Sequence, residues 1–288
     1  MNNFKNIMIN RYGDEGGKME SLEIVQILKK NCFYSLKNNL FKLEQNQNTQ
    51  ECINIIKPSI TTIDGCWDSN KMIRSTSLEE INKLISSSND IDYNDMFGFD
   101  EMELSFSSED YSETVNNQKN TKSNILGDNI MFKCEDTKYY FKPEIATKEK
   151  LAYYDCKLLD QDETIYFNCN ENMAMFKMEI SNNYVTDYIM KEDKGGGIYL
   201  EYHNLPHIYI PINQYNDGYI ILAKKIRNNR YDVSAFSIPY GKALYINPNV
   251  IHNDCFLIGD YYVVYGLSTE YSTAILKNFN KLVEFNFI

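Results

Sequence analysis

Residues 197–212 read GIYLEYHNLPHIYIPI, and residues 241–254 read GKALYINPNVIHND. Each is a short apolar and aromatic run that begins at glycine, and in each a proline marks an interruption or a turn. Glu201, His203 and His207 share odd parity, so on extended backbone their side chains project to one face, although Pro206 interrupts the strand locally. The second stretch is a strand, a Pro248–Asn249 turn, and His252 at the start of the next strand. Working outward, similar runs recur at Met173 to Ile180, Gly218 to Lys224, Val233 to Ile238 and Tyr261 to Tyr265. They are separated by Gly, Asn, Asp and Pro. Asn216-Asp217-Gly218 reads as the turn between two of them, with glycine accepting a positive φ. Short strands at this spacing, rich in Tyr, Ile and Val, indicate a sandwich or barrel. The expected fold class is mainly β, with an antiparallel β-barrel in the carboxy-terminal half.

The three histidines of the chain, His203, His207 and His252, all fall in this β half. Neutral imidazole is a common transition-metal ligand, and a carboxylate joined to two or three imidazoles suits one divalent ion such as Zn, Mn, Fe or Ni. The candidate metal ligands are therefore Glu201, His203, His207 and His252, with His252 arriving from a neighbouring strand. Each has a plainer reading: a solvent-facing strand carboxylate for Glu201, and hydrogen-bonded barrel-mouth histidines for the rest. Tyr209 and Tyr245 read as barrel packing. Gly195–Gly197 is no phosphate loop, because no helix or GK[ST] follows it. It reads as a hairpin or a lead-in to a strand. Cys255, three residues after His252, reads as a buried strand residue.

The preceding part of the chain has a different character. Apolar residues from Leu22 to Leu43 recur mostly three or four apart, which predicts a helix or helix pair over 20–45. Ser77-Leu78-Glu79-Glu80 resembles a capping box before a short helix. Residues 86–127 are rich in Ser, Asn, Asp and Glu and read as a linker, with an acidic, aromatic middle from Tyr93 to Tyr111 that could contact a protein partner. The expected division is a helical region 1–90, a linker 91–130 and a barrel domain 131–288.

Composition excludes some classes. The chain of 288 residues carries a formal charge of −11, with 40 acidic against 29 basic residues and no clustered Lys/Arg surface, which argues against nucleic acid. At 43% hydrophobic and 14% aromatic it can bury a core. Seven cysteines without a CxxC pair read as reduced thiols. There is no uncharged apolar run of membrane-spanning length and no secretory start, so the expectation is a soluble, cytoplasmic protein without membrane contact.

The stretch from Gly241 to His252 resembles the second cupin motif, with Asn249 standing where the family has glycine. Asn also tolerates the left-handed conformation, so the turn is kept. Over 138–266 the chain resembles the ureidoglycolate lyase family of cupins. The landmarks are the segment Lys142 to Asp155, His203 through Tyr209-Ile210-Pro211, the run Asp232 to Phe236, and Tyr245 through Ile251-His252-Asn253. The resemblance implies a cupin-type jelly roll and cleavage of ureidoglycolate to glyoxylate and urea. Carried over position by position, His203 and His252 fall on site histidines, and His207 falls where the family often has glutamine. The catalytic candidates are His203, His252 and Glu201. Asn253 replaces the second of the paired histidines, Ile251 replaces a tryptophan, and Met178 to Asn183 lacks the family's arginine. A homodimer through the barrel follows by analogy. The competing expectation is a non-catalytic cupin kept as a structural or protein-interaction module.

Overall fold

The computed structural model describes residues 19–28, 42–44, 53–67, 74–75, 130–160, 163–166, 173–227, 229–266 and 270–288. Among them the chain is mainly β and closes a seven-stranded barrel. The ring runs Tyr199–His203, Ile251–Asn253, Ile220–Arg227, Arg230–Ser237, Thr61–Trp67, Ile130–Cys134 and Glu270–Asn278, and returns to Tyr199–His203. All neighbours are antiparallel except the Ile130–Cys134 and Glu270–Asn278 pair, which is parallel. A second sheet of six antiparallel strands has the order Met19–Leu28, Met173–Ile180, Gly259–Gly266, His207–Pro211, Ala243–Ile246, Cys156–Leu159. Each β segment anticipated between 173 and 266 coincides with one of these strands to within a few residues.

Rings from both neighbouring and non-adjacent strands fill the barrel. Trp67 lies 4.9 Å from Phe132 and 5.5 Å from Tyr202, and Phe132 lies 5.1 Å from Tyr231, all edge-on or steeply tilted. The edge-on arrangement sets the positive rim of one ring against the negative face of the next, at about 0.5–1.5 kcal/mol per pair beyond area burial. The buried indole N–H donates to Ser272 Oγ at 2.9 Å. Because successive side chains alternate across a strand, Tyr202 pointing into the ring sends Glu201 and His203 to the other face. That face meets the six-stranded sheet.

The chain changes sheet at Asn204-Leu205-Pro206, between Tyr199–His203 in the ring and His207–Pro211 in the second sheet. Proline cannot donate to a ladder, so it suits this corner. The segment 142–155 forms a short helix, Lys148–Ala152, capped by Thr147, whose hydroxyl accepts from Lys150 N. Tyr153 then donates to Asp232 Oδ2 at 2.5 Å, and Tyr154 shares a hydrogen bond with Ser234. Two of the sequence landmarks are thereby lashed together.

Several readings change. The helix expected over 20–45 is, in its described parts, two strands: Met19–Leu28, paired along its length with Met173–Ile180, and Lys42–Glu44. Ile24, Val25 and Ile27 are β-branched, and a long-range ladder outweighs a local periodicity. Thr61–Trp67 sits between Arg230–Ser237 and Ile130–Cys134 in the ring, so the amino-terminal region contributes to the barrel. Gly218 does not have a positive φ. A Cβ there would stand 2.0 Å from Ile258 N, so close approach of two backbones requires the glycine. The Ser77–Glu80 capping box, the 86–127 linker and its acidic middle lie outside the described residues. No helix among the described residues is long and apolar enough to cross a membrane.

Candidate metal centre

The four candidate residues converge from three strands. Glu201 and His203 come from one ring strand, and His252 stands directly across from Glu201 on the next. His207 comes from the sheet laid over them. One ligand-type atom from each lies within 4.8 Å of all the others. Exposure is 2% for Glu201, 5% for His203, and 0% for His207 and His252. The imidazoles pack against one another, with ring centroids 4.0 Å apart for His203 and His207 and 5.0 Å for the other two pairs. Glu201 Oε1 lies 3.3 Å from His252 Nε2.

The Nδ1 atoms are held by the protein. His203 Nδ1 meets the Leu205 carbonyl at 2.6 Å, and His252 Nδ1 meets the Val250 carbonyl at 2.9 Å. A carbonyl only accepts, so both rings carry their proton on Nδ1 and offer Nε2 for ligation. Thr273 donates to Glu201 Oε2 at 3.3 Å. The turn before His252 is fixed by Asn249, whose φ of 66° is the left-handed conformation anticipated for it. Its N–H donates to the His203 carbonyl at 2.7 Å, tying the two histidine strands together.

Around the cluster stand Tyr209, which reads as barrel packing in the sequence, and Tyr199 and Asp254, which no motif marks. His207 Nδ1 lies 3.1 Å from the Tyr209 hydroxyl, which donates to Asp254 Oδ2 at 2.9 Å, and Tyr199 donates to Asp254 Oδ1 at 2.5 Å. Parity could have found them. Tyr199 shares parity with Glu201 and His203, Tyr209 with His207, and Asp254, one residue past the end of its strand, with His252. Asn253 is committed elsewhere: its amide donates to the Tyr199 carbonyl and its oxygen accepts from Cys255 N. Burial pushes the Cys255 thiol well above its ordinary range, which opposes a thiolate nucleophile. Tyr245 is buried on Ala243–Ile246. Among the described residues Cys66, Cys134, Cys156 and Cys255 are free thiols.

The donor set fits a divalent cation. Metal–nitrogen and metal–oxygen bonds of about 2.1 Å put ligands about 3.4 Å apart in a tetrahedron and at most about 4.2 Å apart when opposite, so an ion would draw ligand atoms that now lie within 4.8 Å of one another inward by up to roughly 1.4 Å per pair. Three neutral imidazoles and one carboxylate would leave a divalent ion one net positive charge. No lysine or arginine is among the buried residues that the structure describes. The class that fold and site define is a β-barrel protein with a buried three-histidine, one-carboxylate cluster able to hold a metal ion. Comparison with known proteins adds no narrower family: no family model, no curated protein and no solved structure matches the chain.

Proposed function

We propose that the protein is a metal-dependent cupin enzyme that cleaves a small ureido or hydroxy-acid compound, with ureidoglycolate to glyoxylate and urea as its reaction. The observation that carries this reading is the convergence of Glu201, His203, His207 and His252, all buried, on one point. A divalent ion bound there would supply Lewis-acid polarisation of a substrate hydroxyl or carbonyl oxygen. The chain's own residues supply the rest. The Leu205 and Val250 carbonyls orient His203 and His252. Glu201 is fixed by Thr273, and a carboxylate that ligates through one oxygen keeps the other as a base. In the cleavage, the carbinol O–H proton passes to that base, the C=O of glyoxylate forms, and the C–N pair leaves on nitrogen. Nitrogen then takes up a proton to give urea, so no water or redox partner is consumed. With no buried Lys or Arg described, a substrate carboxylate would be held by the metal charge and by polar hydrogens. Urea released from ureidoglycolate by protein loaded with Zn, Mn, Fe or Ni, and lost in His252→Ala, is the expected result. Absence of urea with every loading would overturn the substrate.

A second reading is favoured by the burial of all four ligand groups. Structural sites are closed, whereas catalytic sites keep an open position. Here the ion would clamp the ring strand Tyr199–His203 to the overlying strand His207–Pro211, in a non-catalytic module. Metal retained through prolonged chelation, together with no turnover of any ureido compound, would favour it.

A further inference from the structure

We propose that Tyr209 and Asp254 are positioning residues that fix His207 as its Nδ1–H tautomer and so make Nε2 its ligating nitrogen. This rests on the metal reading of the site given above. The three histidines solve the same problem in two ways. For His203 and His252 the tautomer is imposed by backbone carbonyls, which have no proton to give. For His207 the neighbour is a phenol, which can donate or accept, so something else must decide.

Asp254 decides it. A phenol has one proton, and the Tyr209 proton is directed at Asp254 Oδ2, 2.9 Å away. The Tyr209 oxygen is then an acceptor, and the group 3.1 Å from it, His207 Nδ1, must carry the hydrogen. Tyr199, donating to Oδ1 of the same carboxylate at 2.5 Å, makes Asp254 the accepting end of both tyrosines. Asp254 is 0% exposed, so water does not compete for these bonds. The network also spans the two sheets: Tyr199 stands on the ring, Tyr209 on the sheet above it, and Asp254 follows the His252 strand. Without the Tyr209 hydroxyl, His207 is released to the other tautomer, whose Nε2 bears hydrogen and cannot bind a metal.

Tyr209→Phe and Tyr199→Phe remove one hydroxyl each from the same carboxylate, and a purely structural role predicts equal effects. The tautomer role predicts unequal ones. Two-bond ¹H–¹⁵N spectra of the metal-free wild-type protein should show His207 protonated on Nδ1; Tyr209→Phe should shift it toward Nε2–H, and Tyr199→Phe should not. Competition titration with Zn²⁺ should find the Tyr209→Phe Kd weaker by about 10–100-fold, the range seen when an outer-shell partner of a ligand is lost, and the Tyr199→Phe Kd within about threefold. An Nε2–H signal for His207 in the wild type, or equal losses in both variants, would overturn the inference. The wild-type spectrum needs no variant to fold. If it shows Nδ1–H but the protein binds no Zn²⁺, the metal reading fails and the proton assignment stands. If Zn²⁺ binds tightly and Tyr209→Phe binds it equally well, this inference fails and the metal reading stands.

Discussion

Replacing Glu201 by glutamine separates the metal account from its simplest rival, an ion pair with His252. The side chain is 2% exposed, its Oε1 is 3.3 Å from His252 Nε2, and its Oε2 accepts from Thr273. Glutamine keeps the shape and the acceptor for Thr273 and removes the charge. Metal at about 100 times Kd stabilises the wild type by about 2.7 kcal/mol. At about 2–4 °C per kcal/mol that is a rise in Tm of about 5–11 °C. If loss of the anionic ligand weakens binding by about 100-fold, the same metal concentration equals Kd and stabilises by only about 0.4 kcal/mol, a rise of about 1 °C. In chelator the comparison reverses. A carboxylate held out of water without its cation is costly, so metal-free Glu201→Gln should melt at or above metal-free wild type. Breaking a buried ion pair would instead cost about 3–5 kcal/mol. Differential scanning calorimetry with and without metal reads both numbers. A variant that keeps the full metal shift, or that melts far below wild type in chelator, refutes the reasoning.

Other expectations follow from single features. Asn249 has a φ of 66°, so Asn249→Ala should cost about 1 kcal/mol while Asn249→Gly costs little, as read by urea denaturation; equal losses would contradict the turn. Burial raises the Cys134 thiol to about 12 and the Cys156 and Cys255 thiols well above 9.0. Their peptides should escape iodoacetamide in the native protein at pH 8 and react after denaturation; rapid native labelling of Cys255 would reopen a nucleophilic role. The Arg230 guanidinium beside Asp64, and Lys242 and Lys148 beside Asp160, hold these carboxyls below 3.8. Burial acts to raise Glu144, but Lys150 and the Ser59 N–H together hold it below 4.5. A folded pKa below the unfolded one gives stability that is present above the unfolded value and lost as pH falls through the folded one. The urea midpoint in chelator should therefore fall below about pH 4.5, and that fall should be smaller in Asp64→Asn. A midpoint unchanged at pH 3 would contradict it.

What the sequence made legible was local. Short runs rich in Tyr, Ile and Val, punctuated by Gly, Asn, Asp and Pro, placed the strands from Met173 to Tyr265, and the odd parity of Glu201, His203 and His207 put them toward one centre, as the structure does. It does so by a route parity cannot show: His207 lies in another sheet, and the corner at Pro206 folds it back over Glu201. The same limit explains the misses. The parallel pairing of Ile130–Cys134 with Glu270–Asn278 joins segments about 140 residues apart, and no window of periodicity senses a partner at that distance. In the same way Met19–Leu28 reads as amphipathic helix until Met173–Ile180 is known to lie beside it. Tyr209 reads as packing because a buried tyrosine usually is packing; its hydroxyl matters only because Asp254 and His207 arrive at it from either side.

Metal held by Glu201, His203, His207 and His252 is read by elemental analysis of the purified protein, repeated after chelation and reloading. Wild-type protein should carry about one divalent ion per chain, and a Glu201→Gln, His252→Ala double variant that still folds should retain none. Wild-type protein that takes up no metal from any loading, or a double variant that retains it in full, would rule out a metal centre at these residues.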